Sequence, residues 1–434
     1  MYKTLTIVCL ALSSAIYAQN NTWQQQYREK VKIYNQDRKA ASMAVDMQNE
    51  MVKSAKADFL PKLSGGANFQ HVGNPLELSV SIPDMATPVT FQGRDLKYGA
   101  SLTLAQPIYT GGAIKASYEK AKKESEMARH EEERITNNIL YDADVYYWNH
   151  VAQSEMVSVA EEFRSSVARL VDVVRHRVSE EYTDKNDLLM AEVKLNDAEY
   201  RLLQAKNNSE VARLSMNSFA GIPSDTILAT DKEVIAISHN EIPAADAMNS
   251  MYLRPELKIA ANQVDIQESA AKIANSQFKP KFSVGIDGSY SSPGYDFKAD
   301  LDPNYAVYAK LSVPIFEWGK RKSTRRTGQA RVNIARENES KVNDRIRLEI
   351  ETAYYNYTEA VKRVELTENS LSKAAESETL AMEKYREGSI SIVEAINAQL
   401  YHQEAKVNFI QSKLNAQIAK SAYYRAIARI GSNS

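Results

Sequence analysis

Residues 394–426 read EAINAQLYHQEAKVNFIQSKLNAQIAKSAYYRA, and two seams of mostly apolar or small residues run through them. One is Ala395, Ala398, His402, Ala405, Phe409, Ser412, Ala416, Ala419, Tyr423 and Ala426; the other is Ile396, Leu400, Gln403, Val407, Ile410 and Leu414. Both step by alternating three and four residues, the heptad period of helices that pack along their length. At roughly 103° per residue the seams lie ~150° apart. Two polar stripes separate them: Glu394, Asn397, Tyr401, Glu404, Asn408, Gln411 and Asn415 on one side, Gln399, Lys406, Lys413 and Lys420 on the other. A globular helix has one apolar stripe and one wet face. Two seams with water on both remaining faces describe a wall one helix thick, with a neighbour on either side.

The same seam occurs earlier in the chain, as Leu188, Ala191, Leu195, Ala198, Leu202, Ala205, Ser209, Ala212, Met216 and Phe219. Its small residues let helices approach closely. Glycine (15) and proline (12) are scarce for 434 residues, against typical usage of ~7% and ~5%, so the helices are expected to be long. The stretch from Ala113 to about Val178 would reach on the order of 100 Å if unbroken.

The breakers that remain fall in matching places and expose an internal repeat. Ala57-Asp58-Phe59-Leu60-Pro61-Lys62-Leu63-Ser64 resembles Ser276-Gln277-Phe278-Lys279-Pro280-Lys281-Phe282-Ser283 at an offset of 219. Gln106-Pro107-Ile108-Tyr109-Thr110-Gly111-Gly112 resembles Val313-Pro314-Ile315-Phe316-Glu317-Trp318-Gly319 at 207, so the first hairpin is 12 residues longer than the second. Asp187, Ala191 and Ala198 match Glu394, Ala398 and Ala405, again at 207. The expected organisation is a first repeat over 19–220, a linker over 221–253 and a second repeat over 254–434. Each repeat reads helix, strand, loop, strand, very long helix, turn, long helix.

Four strands alternate with period two. Tyr98, Ala100, Leu102 and Leu104 oppose Gly99, Ser101 and Thr103; Tyr305, Val307, Ala309, Leu311 and Val313 oppose Tyr308, Lys310 and Ser312. Phe282, Val284, Ile286 and Tyr290 oppose Ser283, Asp287 and Ser289; Leu63, Ala67 and Phe69 oppose Ser64, Asn68 and Gln70. Alternation over about ten residues suits a membrane β-barrel or a half-buried sheet. Phe69, Tyr98, Tyr290 and Tyr305 all lie toward the hairpin loops, where an interfacial girdle belongs. Four strands cannot close a barrel, and open edges are not tolerated in lipid, so several subunits must share one.

Composition narrows the class further. Lys3 followed by the apolar stretch Leu5 to Ile16 and a small Ala18 reads as an export signal over residues 1–18. Cys9, the only cysteine, lies within it, which excludes disulfides, thiolate metal sites and a cysteine nucleophile from the mature chain. Without Lys3 the chain carries 53 basic against 55 acidic residues, and this balance offers no electrostatic reason for nucleic acid as a partner. No apolar run approaches the ~20 residues of a transmembrane helix, and mean hydropathy is −0.45. The six histidines include no helical pair, and no phosphate loop or nucleophile elbow occurs, so an enzyme, cofactor or metal centre is not expected. Met43, Met47 and Met51 fall at helical spacing; thioethers can bind Cu(I), but such stripes more often fill packing gaps.

In this order, the duplication, the Pro-Ile pairs at Pro107 and Pro314, Arg254-Pro255-Glu256-Leu257 and the stretch Tyr385-Arg386-Glu387-Gly388-Ser389-Ile390-Ser391-Ile392-Val393-Glu394-Ala395 resemble the TolC family of outer-membrane efflux proteins. The resemblance covers nearly all of the mature chain. It implies a mainly α fold with β: a homotrimeric duct in which long antiparallel coiled-coil helices form a periplasmic α-barrel and four strands per protomer build a 12-stranded transmembrane β-barrel in outer-membrane lipid. It implies as partners a periplasmic adaptor protein and an inner-membrane pump or ABC exporter. By position Glu394 takes the place of the first gate acid, and Asn397 stands where a second Asp is common. Tyr401 and Glu404 continue the same stripe, assigned to the lumen because the opposite stripe is lysine-rich. Tyr385 would latch to Asp187 at the tip that contacts the adaptor. Gly388 marks the turn of the second repeat, and Glu181 occupies the corresponding glycine position in the first, where a left-handed residue is costly.

Two functions remain on these grounds: a passive exit duct for small molecules or proteins, and a coiled-coil structural or adhesive surface protein without a pore. A filament has no use for four amphipathic strands, which favours the duct.

Overall fold

With few breakers to interrupt them, the helices run on until a turn sequence ends them. The computed structural model describes residues 22–83, 86–237, 249–294 and 300–431; the expected signal segment and Cys9 lie outside these. The chain runs α1 (Trp23–Tyr34), α2 (Gln36–Ala57), β1 (Lys62–His71), β2 (Glu77–Val80), β3 (Val89–Gln92), β4 (Leu96–Tyr109), α3 (Ala113–Ser179) and α4 (Lys185–Phe219). After a short 3-10 turn at Asn249–Leu253 come α5 (Pro255–Ser276), β5 (Lys281–Ser292), β6 (Asp302–Ser312), α6 (Lys320–Glu387) and α7 (Ile392–Ala426). Helices α3 and α6 hold 67 and 68 residues. Pro255 opens α5 at a position where its missing N–H costs nothing. The chain divides into two compact units, each drawn from both repeats.

One unit comprises Ala44–Ala128 and Ala260–Glu339 and carries the sheet. Its four long strands pair antiparallel in the order β1-β4-β5-β6, leaving β1 and β6 as edges. The register places like with like. Leu63, Leu104, Ile286 and Val307 form one rung, and Gly65, Leu102, Gly288 and Tyr305 the next. On the opposite face Ser64, Thr103, Asp287 and Ala306 line up, as do Gly66, Ser101, Ser289 and Asn304. Phe69 sits directly across from Tyr98 near the loop end. Strand β1 is exposed along its whole length, as an ordinary half-buried sheet would not be. Strands β2 and β3 form a separate ribbon inside the first hairpin. The sequence reading missed it, having registered only that this hairpin is the longer.

The other unit comprises residues up to Met43, Arg129–Ile259 and residues from Ser340 on. The two seams of α7 enter different cores. Ile410 and Leu414 pack with Tyr27, Tyr147, Trp148, Val151 and Met216 from α1, α3 and α4. Ala416, Tyr423 and Ala426 pack with Ile346, Ile350, Tyr357, Val361 and Val364 of α6. The expectation of water on both remaining faces is corrected here. Glu394, Asn397, Tyr401, Glu404, Asn408, Gln411 and Asn415 are exposed, whereas Gln399 and Lys413 are buried and Lys406 half-buried. The lysine stripe lies against α3: Lys413 pairs with Glu155 at 2.7 Å, Lys406 pairs with Glu162, and Gln399 donates to Ser166 at 2.9 Å. Charge marked this stripe as wet, but its partners lie more than two hundred residues away in sequence.

Two buried clasps fasten the repeats' opening helices. Asp144 of α3 has no exposed surface and accepts from Arg28 Nε at 2.6 Å and Nη2 at 2.5 Å, Gln24 at 2.7 Å and Ser421 at 2.6 Å. Arg254 donates to Glu256 at 2.8 and 2.9 Å, to Glu349 at 3.0 Å and to the Ala426 carbonyl at the end of α7 at 2.9 Å. Burial opposes both charges of the Arg254–Glu256 pair. The hydrogen bonds between them prevail, holding Arg254 above and Glu256 below its ordinary pKa.

The register predicts opposite outcomes for adjacent residues. Leu102→Arg, on the apolar face, should weaken assembly by about 2–4 kcal/mol near a bilayer midplane. Thr103→Arg, on the polar face, should be tolerated. Folded protein recovered from outer-membrane fractions measures both, and equal losses would contradict the assigned faces.

Candidate functional site

The two helix-to-helix turns are built alike, atom for atom, at the offset of 207. In the first, Glu181 N–H donates to the Val178 carbonyl at 3.1 Å and Tyr182 N–H to Arg177 at 2.8 Å. In the second, Gly388 N–H donates to Tyr385 at 3.0 Å and Ser389 N–H to Lys384 at 2.8 Å. These bonds satisfy the last carbonyls of α3 and α6 and require a left-handed residue in the middle. Gly388 takes it at φ 79° and Glu181 at φ 60°. Glu181 therefore carries the strained geometry that the sequence led one to doubt, in full exposure and with no side-chain partner printed for it to compensate.

Each turn then caps the next helix. Asp184 accepts from Asn186 N–H at 3.4 Å ahead of α4. Ser391 and Glu394 form a reciprocal capping box on α7, Glu394 accepting from Ser391 N–H at 2.8 Å and from its hydroxyl at 2.9 Å. Those bonds hold the Glu394 carboxyl below its ordinary pKa. Asp187, the matching residue of the first turn, accepts instead from the Thr183 hydroxyl.

A core of Leu170, Val171, Val174, Ala191, Tyr385, Ile392 and Ala395 joins the two turns. The expected Tyr385–Asp187 latch is not formed. The Tyr385 hydroxyl is buried without a hydrogen-bond partner, and the Asp187 carboxylate is engaged by Thr183. Burial, with Asp187 nearby, raises the Tyr385 pKa against the lowering effect of Arg177. The link is made by Arg177, which the sequence reading did not single out. Its Nη1 donates to the Tyr385 carbonyl at 2.5 Å, its guanidinium lies 5.1 Å from the Tyr385 ring centre, and a side chain at Gly388 would meet its Nη2 at 3.3 Å. A cation at the end of α6 also complements the helix dipole. A long basic residue one turn before a helix end was the available signal.

Glu394, Asn397, Tyr401 and Glu404 share one exposed face of α7; the structure groups them but supplies no partner across that face. On the covered side, a 530 Å³ cavity is lined by Ser166, Glu378, Gln399 and His402. Gln399 donates to Ser166, Ser166 to Glu378 at 3.1 Å, and His402 meets the other Glu378 oxygen. Among the described residues, no three His, Asp or Glu side chains are grouped to hold a metal ion, and no helix is long and apolar enough to cross a membrane. Met43, Met47 and Met51 point outward on α2, so they fill no gap within the chain.

An open-edged, two-faced sheet fed by long coiled-coil helices defines a subunit of a membrane duct. The chain belongs to the outer membrane efflux protein family, whose model matches residues 28–221 and 250–429; it is an outer-membrane efflux channel and not an enzyme. Toxin and drug export protein A of Aggregatibacter actinomycetemcomitans is 18% identical over 284 residues, 65% of this chain and 62% of that protein's length. The fold is that of the Campylobacter jejuni CmeC channel, with a TM-score of 0.79, 17% identity, and coverage of 95% of this chain and 87% of that one. It is equally close to CusC, at 0.80, 14% identity and 94% of both chains. For the open Neisseria gonorrhoeae MtrE channel the values are 0.77, 16%, 93% and 88%.

Two substitutions test the turns. Glu181→Gly should stabilise the protein by about 1 kcal/mol by removing left-handed strain, seen as a higher denaturation midpoint. Arg177→Met should cost about 1–3 kcal/mol, since it removes a charged hydrogen bond to a helix end, while Tyr385→Phe should be neutral or slightly stabilising.

Proposed function

We propose that the protein is the passive exit duct of a tripartite efflux or type I secretion system, working as a homotrimer. The observation that carries this is the open sheet: β1 and β6 are both edges, and one sheet face is apolar rung by rung. Backbone groups on such edges cannot be left unpaired in lipid. Three copies, pairing β6 of one with β1 of the next, would close twelve strands around a lumen lined by the polar face. Two copies would give eight, too narrow for more than side chains.

The helices support the same assembly. In α4, Leu189, Val193, Tyr200 and Leu203 are exposed at heptad spacing; in α6, Ile334, Leu348, Tyr355 and Leu366 are exposed as well. Neighbouring protomers would cover both sets. A periplasmic adaptor would engage the two turns, and an inner-membrane pump or ABC exporter would choose the cargo. The Glu394, Asn397, Tyr401 and Glu404 face would line the lumen, with Glu394 forming the resting gate and Arg177 holding the turns together until the adaptor binds.

Three carboxylates at a narrow mouth favour cations. Because its capping bonds lower the Glu394 pKa, the group stays charged as pH falls and neutralises only below the ordinary glutamate value of about 4.3. Reversal potentials in planar bilayers should show the same cation preference at pH 5 and pH 7. Glu394→Gln should weaken that preference at both. Selectivity unchanged by the substitution would move the gate elsewhere, and a monomer or dimer in native mass spectrometry would refute the trimer.

A further inference from the structure

The two repeats cross from sheet to long helix through matched segments. Thr110-Gly111-Gly112 precedes α3, and Glu317-Trp318-Gly319 precedes α6. Backbone conformation is matched as well: Gly111 and Gly112 stand at φ 67° and 87°, Trp318 and Gly319 at 42° and 82°. At Gly111 the choice of residue is forced, because a side chain there would lie 2.5 Å from the Ser276 carbonyl oxygen. At Trp318 the same left-handed geometry is imposed on one of the bulkiest residues, for which it is a true outlier. Strain of this kind persists where something is gained from it.

Nothing inside the chain is gained. Trp318 is 91% exposed, and its one ring contact is Phe316, itself 70% exposed, at 5.0 Å and a steep angle. The pair prolongs the apolar face of β6, through Leu311, Val313 and Ile315, all exposed. At the other end of that strand stands Tyr305. The 11 residues of β6, tilted about 40° from the membrane normal, rise roughly 28 Å. Phe316 and Trp318 follow directly, where an apolar band of about 25 Å should end in aromatic residues.

We propose that Trp318, braced by Phe316, is an anchor in the phospholipid headgroup layer on the helix side of the barrel, retained at the expense of backbone strain. An indole has an apolar body for the acyl boundary and an N–H for the wet layer. The proposal rests on reading the sheet as a barrel segment in lipid, and it assigns the second repeat a membrane contact that the first, with glycine at the same place, lacks.

The full mature protein would be reconstituted in phosphatidylethanolamine–phosphatidylglycerol vesicles carrying a spin label at acyl carbon 5 or 12. Trp318 fluorescence is taken as the difference from Trp318→Phe. The other tryptophans are Trp23 and the buried Trp148. The shallow label should quench that signal roughly twofold more than the deep one. In detergent, Trp318→Gly should melt about 2–4 °C above Trp318→Ala, because both lose the ring but only glycine relieves the strain. A fluorophore on Leu102→Cys, in a mature chain otherwise free of cysteine, reports on the barrel. If that probe is quenched by the deep label and Trp318 by neither, the anchor is refuted and the barrel stands. If neither site is quenched, both readings fail. Equal melting of the Gly and Ala variants would refute the strain argument.

Discussion

A peptide group in hydrocarbon has no water to fall back on, and much of this fold follows from that constraint. Four strands supply their own hydrogen bonds to one another and then run out, at β1 on one side and β6 on the other. Every interior rung is satisfied; the two outer rows are not. A soluble protein would hide such edges under a loop or helix. Here β1 is bare throughout, so the remedy must come from another copy of the same surface. Duplication suits this arrangement. Each repeat donates one hairpin, and the hairpins pair through β4 and β5 with the same alternation of faces, so one pattern written twice yields a sheet that closure can extend without a change of register.

Away from the sheet, polar pairing inside seams does work that apolar packing alone would not specify. Helix α7 is apolar toward α6 and toward the core of α1, α3 and α4, yet between those seams it buries lysine, glutamine and serine. Each is answered by a group at one height on α3: Lys413 by Glu155, Lys406 by Glu162, Gln399 by Ser166 and Ser421 by Asp144. A heptad of alanines could slide by one turn at little cost. A ladder of matched charges cannot, because slippage would leave a buried ion alone, a penalty of about 3–5 kcal/mol for each. The small residues let the helices approach, and the charged rungs set their register.

Period and punctuation were the legible part of the sequence. Heptad seams, two-residue alternation and breakers repeated at 207 are local signals, and α3, α7 and the four main strands follow them closely. Long-range pairing was illegible. Lysines at 406 and 413 look like solvent residues until Glu155 and Glu162 are beside them, and neither acid stands out on its own helix. Tyr385 and Asp187 were natural partners by residue type, but local competition decided otherwise: Thr183, four residues from Asp187, reaches its carboxylate first. Arg177 went unnoticed because its acceptor is a backbone carbonyl, which no residue type announces. The β2–β3 ribbon could have been found, since Leu78, Val80, Val89 and Phe91 share one face, but strands of four residues are short for a pattern to declare itself.

The carboxylate of Asp144 also sets an order of events. Its donors come from the first helix of the chain and from the last, 116 to 120 residues before it and 277 after it. Contacts of such separation carry the full entropic cost of loop closure and slow the search for the native state. Until Ser421 arrives, one of the donors to a group destined for complete burial is missing. The clasp therefore acts as a completeness check: a truncated or half-exported chain leaves that carboxylate short of a partner and its surrounding helices loosely held. Only a polypeptide present to its final helix can close it.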